Sequence, residues 1–548
     1  MDTQLADDVR DAVNRRLRAW RDAGFAERLW RKDPTLWADP DTPQITDRLG
    51  WLDLPDSAVA QLDAWDDFAQ AVRTEGFQDV VLCGMGGSSL APEVFQRTFG
   101  NAMGCPELRV LDSTHPDAVR GIERAIDLDQ TLVLVSSKSG TTTETLSFFR
   151  YFWQRMSERS DAPGRRFAAI TDAGTPLEAL ADERGFRAAF NARSDVGGRF
   201  SALTAFGLVP AALIGLDAAT LLRRAQAMAD ACGPAVPSDE NEALRLGATI
   251  GELARAGRDK LTFATSEALC AFPDWLEQLI AESLGKDGTG VVPVVGEPLG
   301  PPDAYADDRA FVHLRLAEER DAIQEEHLSN LEDAGHPVIR IELGDRLDLG
   351  REIVRWEIAI AAAGALLEIH PFNQPDVELA KRLAKEAMGR TAGGGAEQTD
   401  IEALDGTASE RAAAAVWQWL DDANSGDYLG IQAYVAPTAR ANEALQEIRL
   451  HLRNRSRRAV TFGYGPRFLH STGQLHKGGP NTGLFLQLVD EPSAILPVPE
   501  TNDSFRQLIR AQADGDCHAL VQQGRRVLRL NLGAGAGEAL ERLQDALR

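Results

Sequence analysis

Three short segments carry residue types that could bind an anion or stabilise negative charge. The first, GMGGSS at 84–89, lets the backbone approach a ligand closely and leads into a helix start, whose free N–H groups suit an anion. A glycine-rich strand-to-helix turn is also a packing solution, so this segment alone decides little. The second, SSKSGTTTET at 136–145, supplies seven hydroxyls and one lysine ahead of a helical stretch. Several neutral donors, one cation and a helix N-terminus suit a phosphate monoester. A plain helix cap needs one hydroxyl, so an anion site explains the run better than a capping box does. The third, SDVGGRFSALT at 194–204, sets two glycines before Arg199. They allow tight backbone around a guanidinium; the plainer alternative is a turn with a surface arginine.

The elements that must position these segments alternate. Apolar runs at 79–83, 108–111, 131–137 and 166–171 are separated by helical stretches, which predicts parallel βαβ units. The first two segments follow strands of one sheet, so they should gather at its C-terminal edge, where such sheets bind ligands. Strands at 260–265, 291–295, 310–314 and 338–342 and helices at 270–284, 349–368 and 377–388 form a second pattern. TAGGGAEQT at 391–399 has the composition of a linker. Further strands at 428–435, 459–463, 483–489 and 527–532 fit a third unit or an extension of the second sheet. The expected fold is α/β: a helical arm (1–75), doubly wound parallel-sheet domains over 76–220 and 237–390, and a C-terminal α/β extension (400–548).

Bulk properties narrow the function. A chain of 548 residues is too long for one core. A net charge of −25 would repel nucleic acid and anionic membrane surfaces, so neither is an expected partner. No apolar run is long enough to span a bilayer, and residues 1–10 are acidic and polar with no apolar stretch behind them. The five cysteines are scattered and include no CxxC pair. Together these predict a reducing, cytoplasmic location. No HxH or HExxH spacing occurs, so neither a metal nor another cofactor is expected. Only seven lysines are present, and Lys138, Lys286, Lys381 and Lys477 all lie in the segments singled out here.

At this point a resemblance becomes specific. The 84–89 and 136–145 segments resemble the sugar isomerase (SIS) fold used for phosphosugar binding, and DVGGRFSALTAFG at 195–207 resembles a signature of the phosphoglucose isomerase family. AESLGK at 281–286 and FNQPDVELAK at 372–381 fit that family in its order. The likeness is closest to the isomerase half of bifunctional transaldolase–isomerase proteins and extends through GPRFLHSTGQLHKGG at 465–479. It implies two SIS-type domains and an aldose–ketose isomerase interconverting glucose-6-phosphate and fructose-6-phosphate through a cis-enediol. By resemblance Glu282 is the base, with Gln278 one helical turn earlier on the same face; such a carboxylate works best partly desolvated. Arg199 would stabilise the enediolate. Ser137, Lys138, Ser139 and Thr142 would take the phosphate, Gly87 and Ser88 would line the sugar, Gln278 and Gln374 would contact it, and Lys381 would help open the ring. Alone, Glu282 and Lys381 would read as surface residues of amphipathic helices. The family commonly forms dimers with sites drawing on both subunits, so a homodimer is expected.

The sequence also departs from the family. A histidine usually follows a Gly-Glu-Pro segment and assists ring opening; here Gly296-Glu297-Pro298 is followed by Leu299 and Gly300, with no histidine. The Thr-Gly-Gln-x-His pattern at 472–476 nominates His476 instead, with His370 second and a structural histidine as the plain alternative to either. Pro375-Asp376 also departs from the usual pattern. Two other functions compete: an isomerase of another 6-anionic aldose, and a phosphosugar sensor. The sensor is disfavoured because no basic DNA-binding helix accompanies the acidic chain.

Overall fold

The computed structural model describes residues 1–376 and 404–548. It opens with a short strand, β1 (Asp2–Gln4), followed by helices that include Asp7–Asp22 and Leu62–Thr74. The expected helical arm is present, but a strand precedes it whose polar residues carry no apolar alternation.

The first sheet contains β2 (Asp79–Cys83), β3 (Glu107–Leu111), β4 (Thr131–Ser136), β5 (Phe167–Asp172) and β6 (Ala188–Ala192). All pairings are parallel and the order is β3-β2-β4-β5-β6. β2 and β4 are buried along their whole length, as strands covered on both faces must be. β6 was not anticipated, because its small residues are only half-buried at the sheet edge. The chain leaves β2 for β3, then crosses back over β2 to reach β4. Winding therefore reverses between β2 and β4, and the loops that follow these two strands open side by side at that switch point.

The second sheet holds β7 (Lys260–Thr265), β8 (Val292–Val294), β9 (Arg309–Leu316) and β10 (Val338–Leu343), in the order β1-β10-β9-β7-β8. Its only antiparallel member is β1. The remaining strands are β11 (Leu404–Asp405), β12 (Tyr428–Tyr434), β13 (Val460–Tyr464), β14 (Gly483–Val489) and β15 (Arg526–Asn531). They form a third, wholly parallel sheet, β11-β15-β14-β12-β13, with a hydrophobic cluster of its own. The C-terminal strands thus do not extend the second sheet.

This third unit packs on both others. Leu496, Val498, Phe505 and Leu508 join the cluster of Phe148 and Tyr151 on the Thr143–Ser157 helix, with the Phe148 and Phe505 rings stacked at 5.9 Å. Such a ring pair adds about 0.5–1.5 kcal/mol beyond its buried area. Tyr428, Leu475 and Phe485 pack against Ala281, Val292 and Val294 behind the Phe272–Leu284 helix. Gly285 ends that helix, and a Cβ there would lie 2.5 Å from the Leu475 Cα. Only glycine lets the short Gly473–Gly478 helix seat this closely. No helix among the described residues is long and apolar enough to cross a membrane.

The Leu349–Leu366 helix runs through the interior and buries Glu357. Burial pushes the Glu357 carboxyl well above the ordinary carboxylate range. The folded state therefore keeps its proton where the unfolded chain has lost it. The associated stability is present below the unfolded pKa and lost as pH rises through the folded one. Glu357→Gln should raise the urea midpoint at about pH 8 and leave it unchanged near pH 4, around the unfolded glutamate pKa. Equal shifts at both values would refute a buried neutral acid.

Candidate active site

The switch-point loops are built from the backbone up. Ser136, the last residue of β4, donates its hydroxyl to the Ser88 carbonyl at 3.0 Å, tying the two loops together. A Cβ on Gly87 would lie 2.0 Å from the Gly198 carbonyl oxygen, so the glycine-rich loop rests directly on the loop bearing Arg199. Ser201 fixes the same carbonyl from the other side, donating to it at 2.6 Å.

In the β4 loop, Ser137 pairs with Thr142 at 2.8 Å and Ser139 with Thr141 at 2.9 Å. Thr142 is the N-cap of the Thr143–Ser157 helix, yet its side chain makes no capping hydrogen bond. The hydroxyl cluster is thus not consumed by capping, and the helix N-terminus stays available to an anion. The Lys138 ammonium pairs with Asp172 and reaches the carbonyls of Arg193 and Ser194 at 3.4 and 3.5 Å. Burial lowers the Lys138 pKa and raises that of Asp172, each opposed by the partner's charge.

The Phe272–Leu284 helix delivers Glu282. Gln278 donates to Glu282 Oε2 at 3.0 Å, and Arg199 Nη1 lies 3.4 Å from Glu282 Oε1, so each carboxylate oxygen has its own neighbour. Gln278 Oε1 is buried and accepts from none of the described residues. Arg199 is buried and donates to Ser283 Oγ (2.8 Å), Gln374 Oε1 (3.2 Å) and the carbonyls of Pro371 (2.5 Å) and Asn373 (3.0 Å). Burial lowers its pKa, opposed by the Glu282 charge. Lys286 braces the same turn, donating to the His370 carbonyl at 2.6 Å and to Asn373 Oδ1 at 3.0 Å. Gln374 is followed by Asp376, whose carboxylate accepts from Gln474 at 2.6 Å and whose N–H donates to that side chain at 2.9 Å. The Pro375-Asp376 departure thus carries an anchor to the third unit.

The structure brings Gly87, Ser88, Arg199, Gln278, Glu282 and Gln374 together, with Ser137, Lys138, Ser139 and Thr142 on the adjoining loop. Lys381 lies outside the described residues. His476, nominated for ring opening, lies apart from these groups. Its ring is buried among Tyr428, Phe468 and Phe485, its Nδ1 is 3.3 Å from Gln432 Nε2, and its polar contacts do not reach Glu282, Arg199 or Gln278. Burial holds it well below the usual histidine range, which suits a neutral core ring. His370 is structural too: Nε2 meets the Pro43 carbonyl at 3.2 Å, and burial lowers its pKa to about 4.

Another histidine, His470, which sequence reasoning did not single out, packs against the glycine-rich turn beside these groups. A Cβ on Gly86 would lie 3.0 Å from both the His470 Cβ and Gln278 Nε2. His470 Nε2 lies 3.2 Å from Glu144 Oε1, which also accepts from Gln512 at 2.7 Å. The two histidines differ in their surroundings: His470 meets Glu144, 326 residues away, and lies against Gly86, whereas His476 is enclosed by aromatic rings.

With this geometry in view, similarity to known proteins decides the family. The phosphoglucose isomerase family profile matches residues 61–294. A glucose-6-phosphate isomerase from Rubrobacter xylanophilus is 31% identical over 399 residues, covering 63% of this chain and 90% of the relative. The chain belongs to the phosphoglucose isomerase family. It is therefore an isomerase. A second glucose-6-phosphate isomerase, from Parabacteroides distasonis, is 30% identical over 61% of this chain and 86% of its own length. Among solved structures, a hypothetical protein from Thermus thermophilus superposes with a TM-score of 0.59 at 27% identity, covering 70% of this chain and 99% of the other. A glucose-6-phosphate isomerase from Chlamydia trachomatis shares the fold at a TM-score of 0.57 and 20% identity, over 69% of this chain and 86% of its own.

The contact between the isomerase's two glycine-rich loops is testable. Gly87→Ala must push the Gly198 backbone aside and with it Arg199. A displacement of about 1 Å lowers turnover by about 10²-fold. Steady-state kinetics beside a thermal melt would check this, and wild-type kcat would show that the contact does not position Arg199.

Proposed function

We propose that the isomerase interconverts glucose-6-phosphate and fructose-6-phosphate, with Glu282 as the single base. The observation that carries this reading is the Gln278–Glu282–Arg199 arrangement beside a hydroxyl-rich helix N-terminus. The phosphate is taken by Ser137, Lys138, Ser139, Thr142 and the helix N–H groups, with Lys138 exchanging Asp172 for the ligand. Gly87 and Ser88 line the sugar, and the buried Gln278 Oε1 and Gln374 receive its hydroxyls.

Once the ring is open, Glu282 removes the proton on C2 of the aldose. The C–H pair becomes the C1=C2 bond, and the carbonyl pair moves onto O1. Arg199, lying against Glu282, stabilises that oxyanion; one such interaction is worth about 10²–10³ in rate. A proton passes from O2 to O1, C2–O2 becomes the carbonyl, and Glu282 returns its proton to C1. Ring opening needs a proton donor and acceptor at O5 and O1, and His470, backed by Glu144, is the group we assign to it. Lys381 is the second group for that step, on family resemblance alone.

The test is a coupled assay converting fructose-6-phosphate to glucose-6-phosphate with EDTA present. Glu282→Gln should lower kcat by about 10²–10⁴-fold, the usual worth of a positioned base. His470→Ala should lower turnover on the cyclic substrate, while His476→Ala should change stability more than kcat. Folded wild type that binds sugar phosphate without converting it would point to another phosphorylated aldose. Full activity in Glu282→Gln would remove the single-base mechanism.

A further inference from the structure

We propose that Arg467 is a positioning residue for ring opening: it docks the loop carrying His470 onto a nest of carboxylates on the isomerase body. This rests on the assignment of His470 above. Arg467 Nη1 donates to Asp112 Oδ2 at 2.7 Å, while Nη2 lies 2.5 Å from Glu93 Oε2 and 3.7 Å from Asp274 Oδ2. The three carboxylates come from three places. Glu93 is on the Leu90–Phe99 helix behind the GMGGSS turn, Asp112 follows β3, and Asp274 is on the Glu282 helix. On that helix Asp274, Gln278 and Glu282 recur every fourth residue, so the nest lies on the same stripe as the base. On the other side of His470, Ser471 donates to Glu277 Oε1 at 2.8 Å. His470 is therefore pinned before and after by residues of the body.

Charge makes Arg467 the member that matters. Among the described residues the other cation at Asp274 is Arg97, 3.5 Å away and exposed. Burial pushes Asp274 up to about 6 even with Arg467 in place. Without the guanidinium, three crowded carboxylates would repel one another or take up protons, and the loop would lose its charged anchor, keeping Ser471 and His470 as its polar ties. The segment after β3 reinforces the dock: Thr114 donates to Gln512 Oε1 at 2.6 Å, and His115 Nε2 lies 3.1 Å from Asp490 Oδ2. Gln512 in turn holds Glu144, the partner of His470.

The experiment uses the full chain with Arg467→Ala, Arg467→Lys, Asp112→Asn and His470→Ala. It measures kcat and KM for fructose-6-phosphate and the affinity for 5-phosphoarabinonate, a straight-chain aldonate that needs no ring opening. Arg467→Ala should lose about 10²-fold in kcat, as a misplaced catalytic group does, with aldonate affinity unchanged. Guanidinium ion should restore part of its turnover and none of that of His470→Ala. Arg467→Lys should recover little, because an ammonium cannot span Asp112 and Glu93 as a guanidinium fork does. Asp112→Asn should lower kcat in the same sense, and it carries the test if Arg467→Ala misfolds. Wild-type kcat in Arg467→Ala or Asp112→Asn, with His470→Ala inactive, overturns the positioning role alone. Parallel loss of kcat and aldonate affinity without guanidinium rescue overturns it too. An active His470→Ala removes the ring-opening assignment on which it rests.

Discussion

A guanidinium taken out of water must have its N–H donors met, because each unmet donor costs more than a hydrogen bond returns. Meeting those of Arg199 organises the site. Its nitrogens reach Ser283 and Glu282 on one segment and Pro371, Asn373 and Gln374 on another, while the turn before it abuts Gly87. The first sheet, the Glu282 helix and the turn after the long interior helix are thus located by one cation. Glu282 takes part in one of these contacts, so its carboxylate and the guanidinium opposite cannot move independently.

The phosphate loop follows a different logic. Its hydroxyls pair with one another and its lysine pairs with Asp172, all through weak or exchangeable contacts. Under the proposed function a dianion at the helix N-terminus would take the place of these partners, with little loss of hydrogen bonding. The half of the site around Arg199 is thus fixed by many hydrogen bonds, and the loop after β4 is the half whose partners can be exchanged.

How much of this could be read from the residues depended on range. The hydroxyl run announces itself within a few residues, whereas Arg199 and Glu282 stand out only through the family resemblance; strand–helix alternation yields the first two sheets and fits a third sheet or an extension of the second alike. β1 and β6 escaped notice because a short polar strand and a row of small residues have no apolar period. The choice between His470 and His476 is a different failure. Both lie in the same glycine-rich segment, and local pattern favoured the one that faces Phe485 and Gln432 inside the third sheet. What distinguishes them is their distant partners, Glu144 and Gly86 for the one and Phe485 and Gln432 for the other, and no local signal encodes pairings of that kind.

The span from Glu144 to His470 bears on how the molecule comes into being. The first sheet needs only chain up to residue 192, and the second closes with residue 343. A nascent chain can complete both while still attached to the ribosome, since domains generally fold in order during synthesis. Arg199 can find Ser283 and Gln374 at that stage. Glu144 cannot meet His470 until β11, β12 and β13 of the third sheet have also been made. Contacts of such sequence separation also form late, because loop closure costs entropy before the contact returns anything. The contacts around Arg199 can thus be in place before the one that holds His470 is made.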